Sequence, residues 1–166
     1  MGRPPFHEHL AMSQPERFRD TGVHLTEFLD ELLVECPRCS RRAVVRQFGG
    51  GKPGMFAPRR VVCGGCGYLK ETDGRRVGAR GGRDWYFDLP LWLQASCCGE
   101  LLWAFNARHL TYLEAYICAD LREKQRPSPG HWNHHSLVTR MPRWMKLAHN
   151  REPLLKAIAR LQERAG

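Results

Sequence analysis

The sequence predicts an α+β protein: a small antiparallel sheet stapled by a metal ion, extended by a β-hairpin and covered by a long helix and a C-terminal cluster of short helices. Three observations predict it. Two Cys-x-x-Cys pairs stand among short strand-like runs between residues 32 and 71. Two further β-type runs flank Cys97-Cys98-Gly99-Glu100. Beyond Asn106 the apolar residues recur at helical spacing.

Residues 1–23 carry Pro4, Pro5, Pro15 and scattered charge and read as a flexible lead-in. Residues 24–126 form the main unit. Leu25, Phe28, Leu29 and Leu32 recur at helical spacing, with Thr26, Glu27, Asp30 and Glu31 opposite, which predicts a short helix running into Leu32-Leu33-Val34 and the first cysteine pair. Ala43–Arg46 leaves that pair as a strand. The run from Gly49 to Gly54 is neither helix nor central strand. Arg60–Val62 enters the second pair and Tyr68–Glu71 leaves it, followed by a glycine- and arginine-rich loop over Thr72–Arg83.

Leu91–Ala95 and Leu101–Phe105 predict the hairpin. Asn106 then caps a long helix with Leu110, Leu113, Ile117 and Leu121 on one face, ended near Arg126 by Pro127 and Pro129. Residues 127–166 predict two or three short helices packed on the main unit. Pro142 suits a helix start, and Asn150 a cap for the last helix, which buries Leu154, Ile158 and Leu161.

The strongest signal is Cys36-Pro37-Arg38-Cys39, a gap of 23 residues, then Cys63-Gly64-Gly65-Cys66. Two residues between cysteines let both sulfurs of a turn face one ion, and two such turns supply the closed tetrahedral set of a structural Zn²⁺ site. The expected cofactor is one structural zinc ion in a zinc ribbon; an iron centre of the rubredoxin type uses the same spacing. Gly65 and Gly67 free the backbone to turn N–H groups toward sulfur. Arg38, Arg41, Arg42 and Lys70 stand close enough in sequence to offset the surplus negative charge of four thiolates. A filled four-sulfur shell argues against catalysis at the metal.

The two pairs, with LLVE and AVVR around one and RVV and YLKE around the other, resemble the zinc ribbon of TFIIB-type transcription factors. The segments PLWLQASCCGELLWAFNARHLTYLEAYICADLRE and SLVTRMPRWMKLAHNREPLLKAIARL are similar to an uncharacterised bacterial family described only as containing a TFIIB-type zinc ribbon. The resemblance covers roughly residues 25–164. It implies four zinc ligands and no known reaction. Ser40 departs from the usual knuckle, where glycine follows the second cysteine.

Lys and Arg outnumber Asp and Glu by 26 to 17, a net charge of +9, which favours polyanionic partners. Lys52, Arg59, Arg60, Arg75, Arg76, Arg80 and Arg83, in and around the glycine loops, are the candidate nucleic-acid contacts, and Arg140, Arg143, Lys146 and Arg151 could extend that surface. The expected function is therefore a non-enzymatic, zinc-stabilised protein, nucleic-acid-binding (DNA or RNA) or transcription-associated. The runner-up is an adaptor docking the ribbon onto a larger protein machine such as the transcription apparatus.

No run of about 18 apolar residues marks a membrane span, and residues 1–20 lack a signal-peptide core, so the expected location is cytoplasmic, with no membrane or small-molecule substrate. Cys97, Cys98 and Cys118 read as structural thiols. Trp92, Trp103, Phe105, Tyr112 and Trp144 read as core rather than as base-stacking platforms. His131, His134 and His135 read as a solvated loop rather than a nuclease or second metal site.

Overall fold

The computed structural model describes residues 17–50, 52, 54–78, 80–119, 121–124 and 136–166. In chain order the strands are β1 (Arg17–Asp20), β2 (Glu31–Glu35), β3 (Arg42–Gln47), β4 (Arg59–Val62), β5 (Leu69–Thr72), β6 (Leu93–Cys97), β7 (Glu100–Ala104) and β8 (Leu121–Lys124). The helices are α1 (Ala107–Cys118), α2 (Leu137–Arg140) and α3 (Arg151–Ala165). Strands β2 to β5 form an antiparallel sheet in sequence order, β6 and β7 a hairpin, and β1 and β8 a parallel pair. The fold is α+β.

The central sheet lies between two apolar clusters because side chains alternate across each strand. Leu33, with Val44 beside it, turns toward Leu93, Leu102, Leu110, Leu154 and Ile158. Leu32, Val34, Ala43, Val45 and Val61 turn the other way, toward Phe28, Trp85, Tyr86, Leu91 and Phe105. Strand β2 is thus apolar on both faces, which is why Leu32-Leu33-Val34 reads as an unbroken run. Its outer edge is also covered: Leu33 N donates to Phe105 O (2.8 Å), and Trp92 N donates to Leu33 O (2.9 Å). Strand β5 ends the sheet on the other side and is exposed from Leu69 to Glu71.

The hairpin forms where the sequence predicts it. Cys98 and Gly99 occupy its two-residue turn at φ 57° and 78°, the positive angles a primed hairpin turn requires. Helix α3 packs on α1 and β6, and its Leu154, Ile158 and Leu161 are buried as expected.

Four expectations change. Residues 25–32 are not one helix: a single 3-10 turn spans Leu25–Phe28, and β2 starts at Glu31. Leu29 and Leu32 do face the core, but a strand buried on both sides matches a helical stripe over so short a window. The long helix ends at Cys118 rather than near Arg126. Ala119 turns extended (φ −64°, ψ 130°), and residues 121–124 pair in parallel with β1.

That pairing also changes the lead-in. Residues 1–16 lie outside the described residues, but 17–20 are strand. Phe18 is buried with edge-on contacts to Tyr112 (5.5 Å) and Tyr116 (5.4 Å). Asp20 accepts hydrogen bonds from Gly22 N (3.0 Å) and Ser136 Oγ (2.7 Å). Finally, Asn150 precedes α3 but makes no side-chain cap; its Nδ2 donates instead to Trp144 O at 2.9 Å. Among the described residues no helix is long and apolar enough to cross a membrane.

Candidate metal centre

Each cysteine pair sits in the turn between two antiparallel strands, β2–β3 for the first and β4–β5 for the second. The two turns repeat the same backbone bonds. Cys36 N donates to Arg41 O (2.8 Å) and Ser40 N to Cys36 O (2.9 Å); Cys63 N donates to Tyr68 O (2.9 Å) and Gly67 N to Cys63 O (3.0 Å). The antiparallel register of β3 and β4 sets both turns at one end of the sheet, so the two pairs face each other.

All four sulfurs lie within 4.8 Å of one another, with Cys36 and Cys63 buried and Cys39 and Cys66 half-buried. Cys36 Sγ is 3.6 Å from Cys66 Sγ, and Cys39 Sγ is 3.6 Å from Cys63 Sγ. Four sulfurs each about 2.3 Å from a tetrahedral zinc would stand about 3.8 Å apart, so the arrangement fits a tetrahedral thiolate ion. All four thiols are free, and these separations far exceed a disulfide bond of about 2.05 Å. Among the described residues no other group of His, Cys, Asp and Glu converges in this way.

Cys39 and Cys66 are pushed in opposite directions. The Arg41 backbone N–H pulls the Cys39 thiol down to about 6. Against the pull of the Tyr68 amide, desolvation and the neighbouring thiols push Cys66 up to about 12. One thiolate makes the next costly, and a divalent cation removes that conflict.

Of the four cations the sequence offers as charge partners, Arg41 engages both turns. Its guanidinium donates to Gly65 O, and the interaction with Cys39 raises its pKa. A Cβ at Gly65 would sit 2.7 Å from the Arg41 Cζ, so a side chain there would push the guanidinium out of its present position. Arg38 and Lys70 are exposed, and Arg42 donates to Ala165 O at 2.6 Å, tying the end of α3 to the sheet.

Ser40 and Gly67 hold equivalent places, at φ 55° and 72°. A left-handed backbone costs an L-residue about 1 kcal/mol, whereas glycine adopts it freely. Ser40→Gly is therefore expected to stabilise the metal-loaded protein by about 1 kcal/mol in denaturant titrations. Destabilisation would show that the serine side chain supports the turn.

The other expected site residues separate into three groups. Lys52, Arg75, Arg76 and Arg80 are exposed. Arg60 pairs with Glu71 (2.7 Å) and covers the Phe48 ring, and Arg83 pairs with Asp88 (2.8 Å). Arg59 departs from its expected role. It is 2% exposed, donates to Leu29 O (2.6 Å) and Gly54 O (2.8 Å), and lies over the Tyr86 ring. Strand alternation turns it to the core face with Val61, out of reach of a phosphate.

Cys97 is buried, with its sulfur 3.3 Å from that of the exposed Cys98, and Cys118 is half-buried. Phe105 is fully buried, while Trp92, Trp103, Tyr112 and Trp144 pack half-buried against the clusters. His131, His134 and His135 lie outside the described residues.

One residue not singled out from the sequence stands apart. Phe56 is 68% exposed at the tip of the turn between β3 and β4. The available signal was an aromatic residue inside a glycine- and proline-rich loop. Comparison of the chain with family models, curated proteins and solved structures returned no match.

Proposed function

We propose that this chain is a non-enzymatic zinc-ribbon protein of the cytoplasm that binds DNA or RNA, in a transcription-associated role, with one structural Zn²⁺ held by Cys36, Cys39, Cys63 and Cys66. The observation that carries the nucleic-acid reading is the placement of Lys52, Arg75, Arg76 and Arg80, all exposed, on the loops that flank β4 and β5. The cysteine clamp at the opposite ends of these two strands would hold the sheet that presents the loops. A shell of four thiolates leaves no open position for a water or substrate, so the ion's part is architectural.

Titration of a labelled oligonucleotide at two salt concentrations tests this reading. Neutralising about four phosphates predicts roughly a hundredfold loss of affinity between about 50 and about 200 mM salt. Salt-insensitive binding, or none at low salt, overturns it.

A second reading, an adaptor for a larger protein machine, has its own support. Val62 and Leu69 face each other across β4 and β5 and are 41% and 55% exposed beside the outer strand of the sheet. A partner retained after nuclease treatment and lost on Leu69→Glu would favour the adaptor.

A further inference from the structure

Phe56 is a large aromatic in an unexpected place. It is 68% exposed, yet the turn that carries it is tied down on every side. Ala57 N donates to Gly54 O (3.2 Å), closing the turn. Arg59 Nη2 donates to the same Gly54 carbonyl (2.8 Å), and Tyr86 Oη donates to Met55 O (2.8 Å). Gly74, at φ 90°, lies so close beneath that a Cβ there would collide with the carbonyls of Phe56 and Ala57. Both anchors, Arg59 and Tyr86, are themselves buried. The ring is thus held outward by a fixed backbone.

One neighbour of the ring is cationic. The Arg76 guanidinium stands 5.8 Å from the Phe56 centroid and 5.1 Å from that of Trp85. Val77 N donates to Trp85 O (2.9 Å), which fixes the backbone beside Arg76. Arg75 is exposed next in sequence, and Lys52 and Arg80 are exposed on the same pair of loops. Asp73, on the same stretch, is held below the usual carboxylate range by the Arg75 backbone N–H, with the Arg75 charge adding to it against desolvation.

A flat apolar face beside a planar guanidinium and further cations is matched by a ligand that alternates bases with phosphates. In a duplex the base faces are covered by their stacked neighbours; in a single strand they are open. We infer that Phe56 and Arg76 form a stacking platform for unpaired bases, so that the nucleic acid this protein binds is single-stranded. This inference rests on the nucleic-acid reading above and adds the form of the ligand and the residues that select it. Arg75, Lys52 and Arg80 contact the phosphates on either side, and the base faces lie on the Phe56 ring and the Arg76 plane.

Fluorescence anisotropy with mixed-sequence single-stranded DNA, single-stranded RNA and duplex DNA tests the inference on the full, metal-loaded chain. Wild type is expected to bind a single strand more tightly than the duplex. Phe56→Ala should weaken single-strand binding by about tenfold, within the range found for loss of one base–aromatic stack. Phe56→Trp should restore it. Because the ring is exposed, Phe56→Ala should keep its metal content and melting temperature, and both are measured alongside.

Arg75→Ala, which removes a charge and no stacking surface, should weaken single strand and duplex alike. The DNA and RNA arms decide which sugar is preferred. Equal single-strand affinity for Phe56→Ala and wild type overturns the inference. A duplex bound as tightly as the single strand also overturns it, while leaving the broader nucleic-acid reading intact. Failure of every oligonucleotide to bind wild type at low salt removes both.

Discussion

Stripping the metal from this protein, by chelator or by Cys63→Ser, is expected to unfold the sheet of β2 to β5. Thiolate zinc sites of this kind contribute roughly 10–16 kcal/mol of apparent free energy, against a net stability of about 5–15 kcal/mol for a whole domain. The packing of β4 and β5 offers little in reserve. Strand β5 buries none of its four residues, and β4 buries Val61 and the charged Arg59. Cys36 and Cys63 are themselves members of the apolar cluster on that face.

The hairpin, α1 and α3 share the other cluster, which contains none of the four ligands, so helical signal should outlast sheet signal in circular dichroism. Elemental analysis should find one ion per chain and identify it as zinc. The loss should also follow pH. The Cys39 thiol, drawn down to about 6, is largely ionised at pH 7, while the Cys66 thiol, pushed up to about 12, must lose its proton to solvent before its sulfur can bind the ion. Metal uptake therefore releases protons to solvent, and metal-linked stability rises with pH through the neutral range and is lost as protons compete for the thiolates in acid. A metal-free protein with its sheet intact would refute the clamp.

The four-cysteine cluster is the part most legible in the sequence, because Cys-x-x-Cys is a local code: the turn geometry lies within a few residues, and only the meeting of the two turns needs the sheet. The hairpin is legible for the same reason, since a glycine at the second turn position admits the positive φ observed there. Readings that depended on distant partners fared worse. Leu121 continues the apolar stripe of α1, yet the chain leaves the helix at Ala119 to pair with β1, about a hundred residues upstream. Nothing near Leu121 announces that partner.

Arg59 shows the same limit in a side chain. As one of several arginines beside a glycine loop it reads as a phosphate contact. Its burial is set by the carbonyls of Leu29 and Gly54 and by the Tyr86 ring, which come from three separate parts of the chain. Phe56 is the converse case, an aromatic that strand and helix patterns leave unassigned because it serves neither cluster.

Replacing Asn106 with Ala is expected to cost about 3 kcal/mol, and the reason goes beyond the cap that its position predicts. Its Oδ1 accepts from His109 N at 2.9 Å, the expected N-cap bond, worth about 1 kcal/mol. Its Nδ2 donates to both Phe28 O (2.9 Å) and Glu31 O (2.8 Å), carbonyls that bracket the entry to β2. The side chain is buried, so truncation leaves these carbonyls without a donor, at about 1–3 kcal/mol for each unpaired group.

The same junction fixes His109, whose Nδ1 accepts from Phe105 N (3.2 Å) and whose ring stacks on Phe28 at 4.7 Å. Burial pushes its pKa down to about 3, so it stays neutral across the physiological range and adds no pH dependence there. Asn106→Ser isolates the two contributions, since a serine hydroxyl can cap α1 but cannot span to both carbonyls. In denaturant titrations the serine variant should recover only about 1 kcal/mol of the alanine loss. Full recovery would mean that capping alone explains the residue, and that the start of α1 is not tied through Asn106 to the strand leading into the metal clamp.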